Sequence, residues 1–114
     1  VSFGNELQIT RRAVEKTGYD IEIIDLCSIK PIDIDTIIRS VNKTRKLMVV
    51  EGDWRSFGIA SEIISSVCES EKCNLDKPPV RLCYPDSHTP ASSFLENEFY
   101  INENDIVQAL TKIM

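Results

Sequence analysis

Hydrophobic residues along this chain fall into short β-branched runs separated by longer stretches with helical spacing. The short runs lie at residues 21–26, 47–51 and 80–84, and they contain the Ile, Val and Leu residues typical of strands covered on both faces. Residues 1–3 have the pattern of a strand end that leads directly into a helix. The pattern therefore predicts strands at these four positions.

The stretches between these runs predict amphipathic helices. The first ends at Gly18, which can supply a left-handed C-cap, and the second begins after Asp33 or Asp35, either of which can cap it. A third helix follows the loop at residues 52–56, and a last one covers residues 106–113. We thus expect helices to alternate with strands along most of the chain.

The sequence also predicts where three further apolar side chains lie. Cys68 is expected to close the apolar face of the third helix, and Phe94 with Leu95 is expected to begin a short apolar anchor. Both expectations depend only on the positions of apolar residues.

Alternating strands and helices with right-handed crossovers produce a mainly parallel sheet covered by helices. The predicted fold class is α/β, a three-layer α/β/α sandwich with a mainly parallel central sheet. In such sheets, ligands and partners meet the loops at the carboxyl ends of the strands. Here those loops are residues 27–30, 52–56 and 85–90.

Composition limits the class of partner. The chain has 114 residues, of which 42% are hydrophobic, and this is the size of one domain with one core. A net charge of -5 would repel nucleic acid phosphates and anionic membranes. No apolar run approaches the roughly 20 residues that span a bilayer. We expect neither nucleic acid nor a membrane as partner, and a basic protein is the more natural one.

Two groups of residues contain chemistry-bearing side chains. Residues 86–88 read Asp-Ser-His, but neighbours in one loop cannot easily align as a nucleophilic triad, so a polar turn is the preferred interpretation and a docking role the second. The four cysteines lack metal-binding spacing, and we expect buried, reduced thiols on strand ends and a helix face.

The loop at residues 52–58 leads into a helix N-terminus, where backbone amides and Arg55 could hold an anion. The loop lacks the phosphate-binding fingerprints, and Asp53 places a competing charge there. A loop that presents Trp54 and Phe57 to a subunit interface is the preferred interpretation.

Glu51 and Glu62 could be paired carboxylates for acid and base chemistry. Glu51 lies at a strand end and Glu62 one turn into the next helix. Glu62 is instead expected to interact with the N-terminus of that helix or with Arg55.

Two ordered blocks of sequence carry a family resemblance. The first is IDLCSIKPID at residues 24–33, and the second is VEGDWRSFG at residues 50–58, with Glu62 following. Together they resemble the C-terminal domain of the β subunit of the thiamine-dependent pyruvate dehydrogenase decarboxylase, a branch of the transketolase superfamily. The resemblance implies that residues 1–114 form a transketolase C-terminal-like domain, a fragment that lacks an upstream pyrimidine-binding domain and a first edge strand just before Val1.

The resemblance also implies a function. The parent enzymes use thiamine diphosphate and magnesium bound outside this domain, so no catalytic, cofactor-binding or metal-binding residue is expected here. The implied partners are the α subunit, a second β subunit and the basic subunit-binding domain of dihydrolipoyl acetyltransferase. Trp54 and Phe57 are the predicted interface anchors, and Asp86 and Glu96 the predicted docking residues. The implied compartment is the mitochondrial matrix, the plastid stroma or the bacterial cytoplasm.

Some positions depart from the family pattern and leave the assignment open. In the loop after the last strand, His88 replaces a proline, Ala91 an aromatic residue and Ser92 an alanine. The adjacent residues Phe99 and Tyr100 resemble the sequence of the branched-chain 2-oxoacid dehydrogenase β subunit in this region. A transketolase-like enzyme domain with its own ligand and a free-standing flavodoxin-like interaction module are also compatible with the sequence.

Overall fold

The computed structural model describes residues 1–114 and contains five helices and two strands. In chain order they are α1 (Asn5–Thr17), α2 (Ile34–Thr44), β1 (Met48–Trp54), α3 (Ile59–Glu69), β2 (Val80–Tyr84), α4 (Ser93–Phe99) and α5 (Glu103–Ile113). The predicted helices are present, and α5 begins three residues before the predicted start at residue 106. Asn102 explains this difference, because its side chain and that of Asp105 form a capping box.

The sheet is parallel throughout. Strands β1 and β2 pair in parallel, with Met48 opposite Val80. On the other side of β1, Ser2 forms isolated parallel bridges to both Val50 and Asp25. The order across the sheet is therefore the segment around Asp25, residues 1–3, β1 and β2, which confirms the mainly parallel arrangement.

One prediction about the first strands is wrong in detail. Residues 21–26 pair only at Asp25, and Ile21, Ile23 and Ile24 stay partly exposed instead of being covered on both faces. The backbone hydrogen bonds of this segment to the sheet run from the Ser2 N–H to the Ile24 carbonyl and from the Leu26 N–H to the Ser2 carbonyl, both at 3.0 Å. Ser2 itself has partners on both sides, so residues 1–3 lie between the segment around Asp25 and β1.

Helices cover both faces of the sheet. Val49 and Val50 are adjacent in β1, and their side chains point to opposite faces. Val49 packs in a core formed mainly with α2 and α3, whose buried members are Ile37, Val41, Ala60, Ile63 and Val67. Val50 packs in a second core with α1 and α5, through Ala13, Ile106 and Leu110. The predicted three-layer α/β/α sandwich is confirmed.

Helix ends follow the predicted caps. The carboxylate of Asp33 accepts a hydrogen bond from the Thr36 backbone N–H at 3.0 Å, which selects Asp33 over Asp35 as the cap of α2. Gly18 ends α1 in the left-handed conformation, with φ of 66°. Both ends are therefore specified by local sequence.

The predicted apolar anchor at Phe94 and Leu95 is wrong. These side chains are 73% and 53% exposed, and α4 contains no buried residue. Phe99 and Tyr100 attach this segment instead, because their rings pack against Tyr84 with centroid distances of 5.4 and 5.3 Å. None of the helices is both long enough and apolar enough to cross a bilayer.

Candidate interaction site at the carboxyl ends of the strands

The loops that follow β1 and β2 are joined into one surface. The carboxylate of Asp86 accepts hydrogen bonds from the backbone N–H of Ser56 at 2.8 Å and from its hydroxyl at 2.6 Å. The Arg55 N–H donates to the Tyr84 carbonyl at 3.0 Å. Residues 52–58 and 85–88, named here the β1–β2 loop surface, are thus held together by bonds between loops distant in sequence.

Two arginines, Arg55 and Arg81, add further hydrogen bonds between the loop after β1 and strand β2. The Arg55 guanidinium donates to the Arg81 carbonyl at 3.2 Å, and the Arg81 guanidinium donates to the Arg55 carbonyl at 3.0 Å and to the Ser61 hydroxyl at 2.6 Å. No hydrogen bond or ion pair joins Arg55 to Glu62. Of the two alternatives for Glu62, the contact with Arg55 is not made, since Arg55 binds the backbone of β2 instead. Glu62 lies in the first turn of α3, close to the N-terminus of that helix.

Trp54 lies at the centre of the β1–β2 loop surface. Its indole N–H donates to the Ser87 carbonyl at 3.0 Å, and the His88 ring meets the indole edge-to-face with centroids 6.5 Å apart. About half of the side chain (49%) remains exposed. The ring is thus fixed in orientation while about half of it remains exposed to solvent.

Phe57 is the most exposed large hydrophobic residue of this surface. Its side chain is fully exposed, and its backbone has a φ of 63°, a conformation that bulky residues rarely adopt. Its neighbour Ser56 is held by Asp86, so the loop maintains this conformation without burying the ring. Both predicted anchors, Trp54 and Phe57, therefore present apolar surface outward, and their role in an interface remains a prediction.

The two predicted docking acids lie in separate environments. Hydrogen bonds from the Ser56 hydroxyl and N–H lower the pKa of Asp86 below its ordinary value. Glu96 lies on α4 and accepts a hydrogen bond from the Tyr100 hydroxyl at 3.0 Å. No hydrogen bond connects Asp86 with Glu96. Each acid is therefore positioned by its own neighbour, and their docking role remains a prediction.

The residues Asp86, Ser87 and His88 do not form a nucleophilic triad. Asp86 binds Ser56, the Ser87 carbonyl binds the Trp54 indole, and His88 packs on that same indole. No hydrogen bond joins any two of the three side chains, so no base is aimed at a nucleophile. This geometry supports the interpretation of these residues as a polar turn.

Glu51 has a function that was not predicted from the sequence. Its carboxylate caps the N-terminus of α3. Its side chain is 1% exposed and lies at the N-terminus of α3. Its carboxylate accepts hydrogen bonds from the backbone N–H groups of Ile59 at 2.7 Å and Ala60 at 2.9 Å. The amides that could have held a ligand phosphate are therefore occupied by the chain's own carboxylate. The sequence feature that could have indicated this cap is a glutamate at the end of a predicted buried strand, followed by a short loop and a helix.

A second buried carboxylate, that of Glu6, also lies beneath the β1–β2 loop surface. It accepts a hydrogen bond from the Tyr84 hydroxyl at 2.8 Å. Burial, followed by this hydrogen bond, raises the pKa of Tyr84. A Cβ atom at Gly52 would overlap the Glu6 carboxylate, so a larger residue here would displace that side chain from its position beside Tyr84.

All four cysteines are free thiols, but their predicted burial is wrong. Cys27 and Cys68 are exposed, whereas Cys73 and Cys83 are partly buried. On α3 the buried positions are residues 60, 63 and 67, so Cys68 lies about 100° around the helix from Val67 and outside the apolar stripe. Burial raises the pKa of Cys83 to about 11. No group of three or more His, Cys, Asp or Glu side chains is arranged to hold a metal ion.

Comparison with known proteins gives one consistent family. The family model described as "Transketolase, C-terminal domain" matches residues 1–106. The solved structure titled "Split gene transketolase, inactive beta4 tetramer" superposes with a TM-score of 0.81 over 98% of this chain and 37% of that one, at 20% identity. This structural likeness supports the fold.

Curated relatives are more similar in sequence. "Pyruvate dehydrogenase E1 component subunit beta" of Mesostigma viride is 39% identical over 110 residues, which is 96% of this chain and 33% of the relative. The proteins of the same name from Porphyra purpurea and Staphylococcus aureus are 40% identical over 97 residues and 33% identical over 111 residues. These alignments cover 85% and 95% of this chain, and 29% and 34% of the relatives. The chain thus spans about a third of the length of these relatives. Given the family match over residues 1–106 and the three-layer parallel fold, the chain belongs to the transketolase C-terminal domain family.

Proposed function

We propose that the chain is the C-terminal assembly domain of a pyruvate dehydrogenase β subunit. The whole enzyme would decarboxylate pyruvate oxidatively with thiamine diphosphate and transfer the acetyl group to lipoyl groups. The observation that carries the proposal is the 33–41% identity to proteins of that name over most of the chain. The geometry supports a binding role, since the loops at the carboxyl ends of the strands present fixed, exposed side chains.

The residues of this chain do not fit thiamine diphosphate. The helix N-terminus that could receive a diphosphate is capped by the buried Glu51 carboxylate, which would repel it. We therefore infer that the cofactor and its magnesium bind to other parts of the parent enzyme. This also disfavours a transketolase-like domain with its own ligand at residues 52–58.

Trp54 and Phe57 are proposed to face another subunit of the assembly, either the α subunit or a second β subunit. A half-exposed tryptophan with a fixed ring and a fully exposed phenylalanine lose little conformational entropy when they are covered. Such preorganised apolar side chains are typical of interface centres. The polar rim would be supplied by Asp53, Ser87 and His88, which surround Trp54 in sequence or in contact.

Asp86 and Glu96 are proposed to contribute to docking of the basic subunit-binding domain of dihydrolipoyl acetyltransferase. The net charge of -5 supports attraction to a basic partner. Exposed charge pairs contribute little individually, so docking must depend on several acids together. Asp86 already accepts two hydrogen bonds from Ser56, whereas Glu96 accepts one, from Tyr100. We therefore expect Glu96 to be more available than Asp86 for contact with the basic partner.

Calorimetric titration of the 114-residue chain with the subunit-binding domain tests this function. The expected result is salt-sensitive binding that Glu96→Gln weakens and makes less salt-dependent, while Asp35→Asn, an exposed acid in the first turn of α2, leaves it unchanged. Parallel titration with thiamine diphosphate and magnesium should give no binding. Cofactor binding without docking would reject the assembly function in favour of the enzyme domain.

The sources of the relatives support two compartments. Mesostigma viride and Porphyra purpurea bear plastids, and Staphylococcus aureus is a bacterium. We infer a plastid stroma or a bacterial cytoplasm for the parent enzyme. None of these relatives favours the mitochondrial matrix.

A further inference from the structure

Strand β2 forms an open edge of the sheet. It pairs only with β1, and all five of its residues are partly exposed, whereas Val49 and Val50 of β1 are buried. A cavity of about 390 Å³ lies beside β2, with Val80, Leu82 and Cys83 among its lining residues. An unpaired strand edge of this kind is a ready template for pairing with another chain.

The backbone groups of Arg81 and Cys83 point outward from this edge. The Val80 N–H donates to the Leu47 carbonyl of β1 at 3.0 Å, and the parallel pairing continues to Leu82. In a parallel pair, every second residue of a strand binds a given neighbour. Val80 and Leu82 therefore bind β1, while two N–H groups and two carbonyls, those of Arg81 and Cys83, face away from it.

One of these four outward groups is occupied by the Arg55 side chain. The Arg55 guanidinium donates to the Arg81 carbonyl at 3.2 Å, across the open edge. The contact is reciprocal, since the Arg81 guanidinium donates to the Arg55 carbonyl at 3.0 Å. The Arg55 N–H also donates to the Tyr84 carbonyl at 3.0 Å, which holds Arg55 against the end of β2. The other three outward groups, on Arg81 and Cys83, form no hydrogen bond.

The positive charge of Arg55 is not neutralised by a direct ion pair. All four ion pairs of the chain involve other cations, and the nearby Asp86 carboxylate is bound by the N–H and hydroxyl of Ser56. A strand that covered Arg55 would bury an unpaired guanidinium, which is costly. Charged side chains at open edges oppose strand pairing for this reason.

We propose that Arg55 blocks the open edge of β2 and thereby keeps the β2 strands of two copies of this chain from pairing. Two β2 strands fit each other in an antiparallel arrangement centred on Leu82, because the outward groups of Arg81 then meet those of Cys83 in the other copy. Half of the hydrogen bonds in this arrangement use the Arg81 carbonyl as acceptor. The Arg55 guanidinium occupies that carbonyl and places a charge where the second strand would lie.

This role is independent of the pyruvate dehydrogenase assignment, because it depends only on β2 and on the loop that follows β1. It also concerns a different part of the surface from Trp54 and Phe57. Their rings are exposed on the β1–β2 loop surface, whereas Arg55 reaches back along β2. Association through those rings and association through the β2 edge can therefore be told apart by which amides become protected.

The parent chain and three variants test the proposal. Arg55→Ala removes the block, and Arg55→Met is a second variant that keeps an unbranched side chain but has no donor. Arg11→Ala, at an exposed position of α1, is the matched control, since it removes the same charge away from β2. Amide hydrogen exchange at Cys83 is measured at about 10 µM and about 1 mM chain. The Val80 amide, bonded to the Leu47 carbonyl, is the reference for an intact fold.

In both Arg55 variants, exchange at Cys83 should slow about threefold or more at the higher concentration, because the second copy then accepts this N–H. The parent chain and Arg11→Ala should show no such change. Exchange at Cys83 that is independent of concentration in both Arg55 variants would overturn the proposal, and so would equal protection in the parent chain. Association of an Arg55 variant in sedimentation without protection at Cys83 would also overturn it, because the copies would then meet through another surface.

Discussion

Gly58 lies against the buried carboxylate of Glu51, so close that a Cβ atom at position 58 would be 2.5 Å from Oε2. This contact places the start of α3 directly over the end of β1. The same carboxylate accepts the N–H groups of Ile59 and Ala60, and thereby fixes where the helix begins. Residues 52–58 of the β1–β2 loop surface are therefore held in place by a polar group inside the fold.

Replacement of Glu51 should be strongly destabilising. Glu51→Ala leaves two amide groups without their acceptor, and we expect the free energy of unfolding to fall by about 2–4 kcal/mol. Glu51→Gln retains one acceptor oxygen and should cost roughly half as much. Urea unfolding followed by Trp54 fluorescence measures both changes. Glu62→Gln, at an exposed position on the same helix, is the control and should stay within about 0.5 kcal/mol of the parent. A loss as small as this for Glu51→Ala would refute the capping function.

Gly58→Ala should be destabilising for a steric reason alone. The φ of Gly58 is -75°, which any residue can adopt, but the added methyl group would meet the Glu51 carboxylate and the Trp54 carbonyl at 2.5 and 2.8 Å. We expect a loss of about 2 kcal/mol or more. Gly18→Ala separates the two effects, because Gly18 has a φ of 66° and open space around it, and should cost about 1 kcal/mol. Calorimetric unfolding of both variants decides between steric and conformational causes.

Acid should loosen the junction between the two loops through Asp86. Hydrogen bonds from Ser56 lower the pKa of Asp86 in the folded chain below its ordinary value of 3.8. The ionised carboxylate therefore stabilises the fold above the pKa of the unfolded state, and this contribution disappears as the pH falls through the folded pKa. Asp86→Asn should show a flatter dependence of stability on pH below about pH 4.

The comparison variant for Asp86 is Ser56→Ala, which removes the hydroxyl donor and leaves the backbone N–H. Its pH dependence should be intermediate, because one of the two hydrogen bonds persists. Unfolding curves at several pH values test this order. Identical acid profiles for the parent chain and both variants would show that the Asp86 contacts do not contribute to stability.

The Val1 α-amino group should make the 114-residue chain more stable at alkaline than at neutral pH. Burial lowers its pKa from 8.0 to about 6, so the folded chain releases a proton that the unfolded chain retains. Stability should therefore rise from about pH 6 to pH 8, where the unfolded state binds more protons, and level off above this range. Acetylation of the amine removes the titrating group and should abolish the rise. A rise that persists after acetylation must come from another group.

Local sequence determined much of the secondary structure. Gly18 ends α1 and Asp33 begins α2, because a left-handed glycine and an N-cap carboxylate act within a few residues of their own position. The apolar runs predicted the parallel strands and the covering helices, since strand and helix periods differ. The two motif blocks predicted the family, which the match over residues 1–106 confirms.

Tertiary structure decided where individual side chains lie within this frame. The periodicity of α3 could not show that Cys68 falls outside the buried stripe, because the width of the stripe depends on how closely α2 and the sheet approach. The pairing of Ser56 with Asp86 joins loops 30 residues apart, and no local rule predicts such a contact.

The sequence by itself determined the fold class, the end of α1, the start of α2 and the family, because these depend on short-range periodicity, caps and motifs. Only the tertiary structure decided that the Glu51 carboxylate caps α3, and that residues 21–26 pair at a single position. Both outcomes depend on which backbone groups meet in space, and hydrogen bonds between distant segments form only after the sheet and helices have packed.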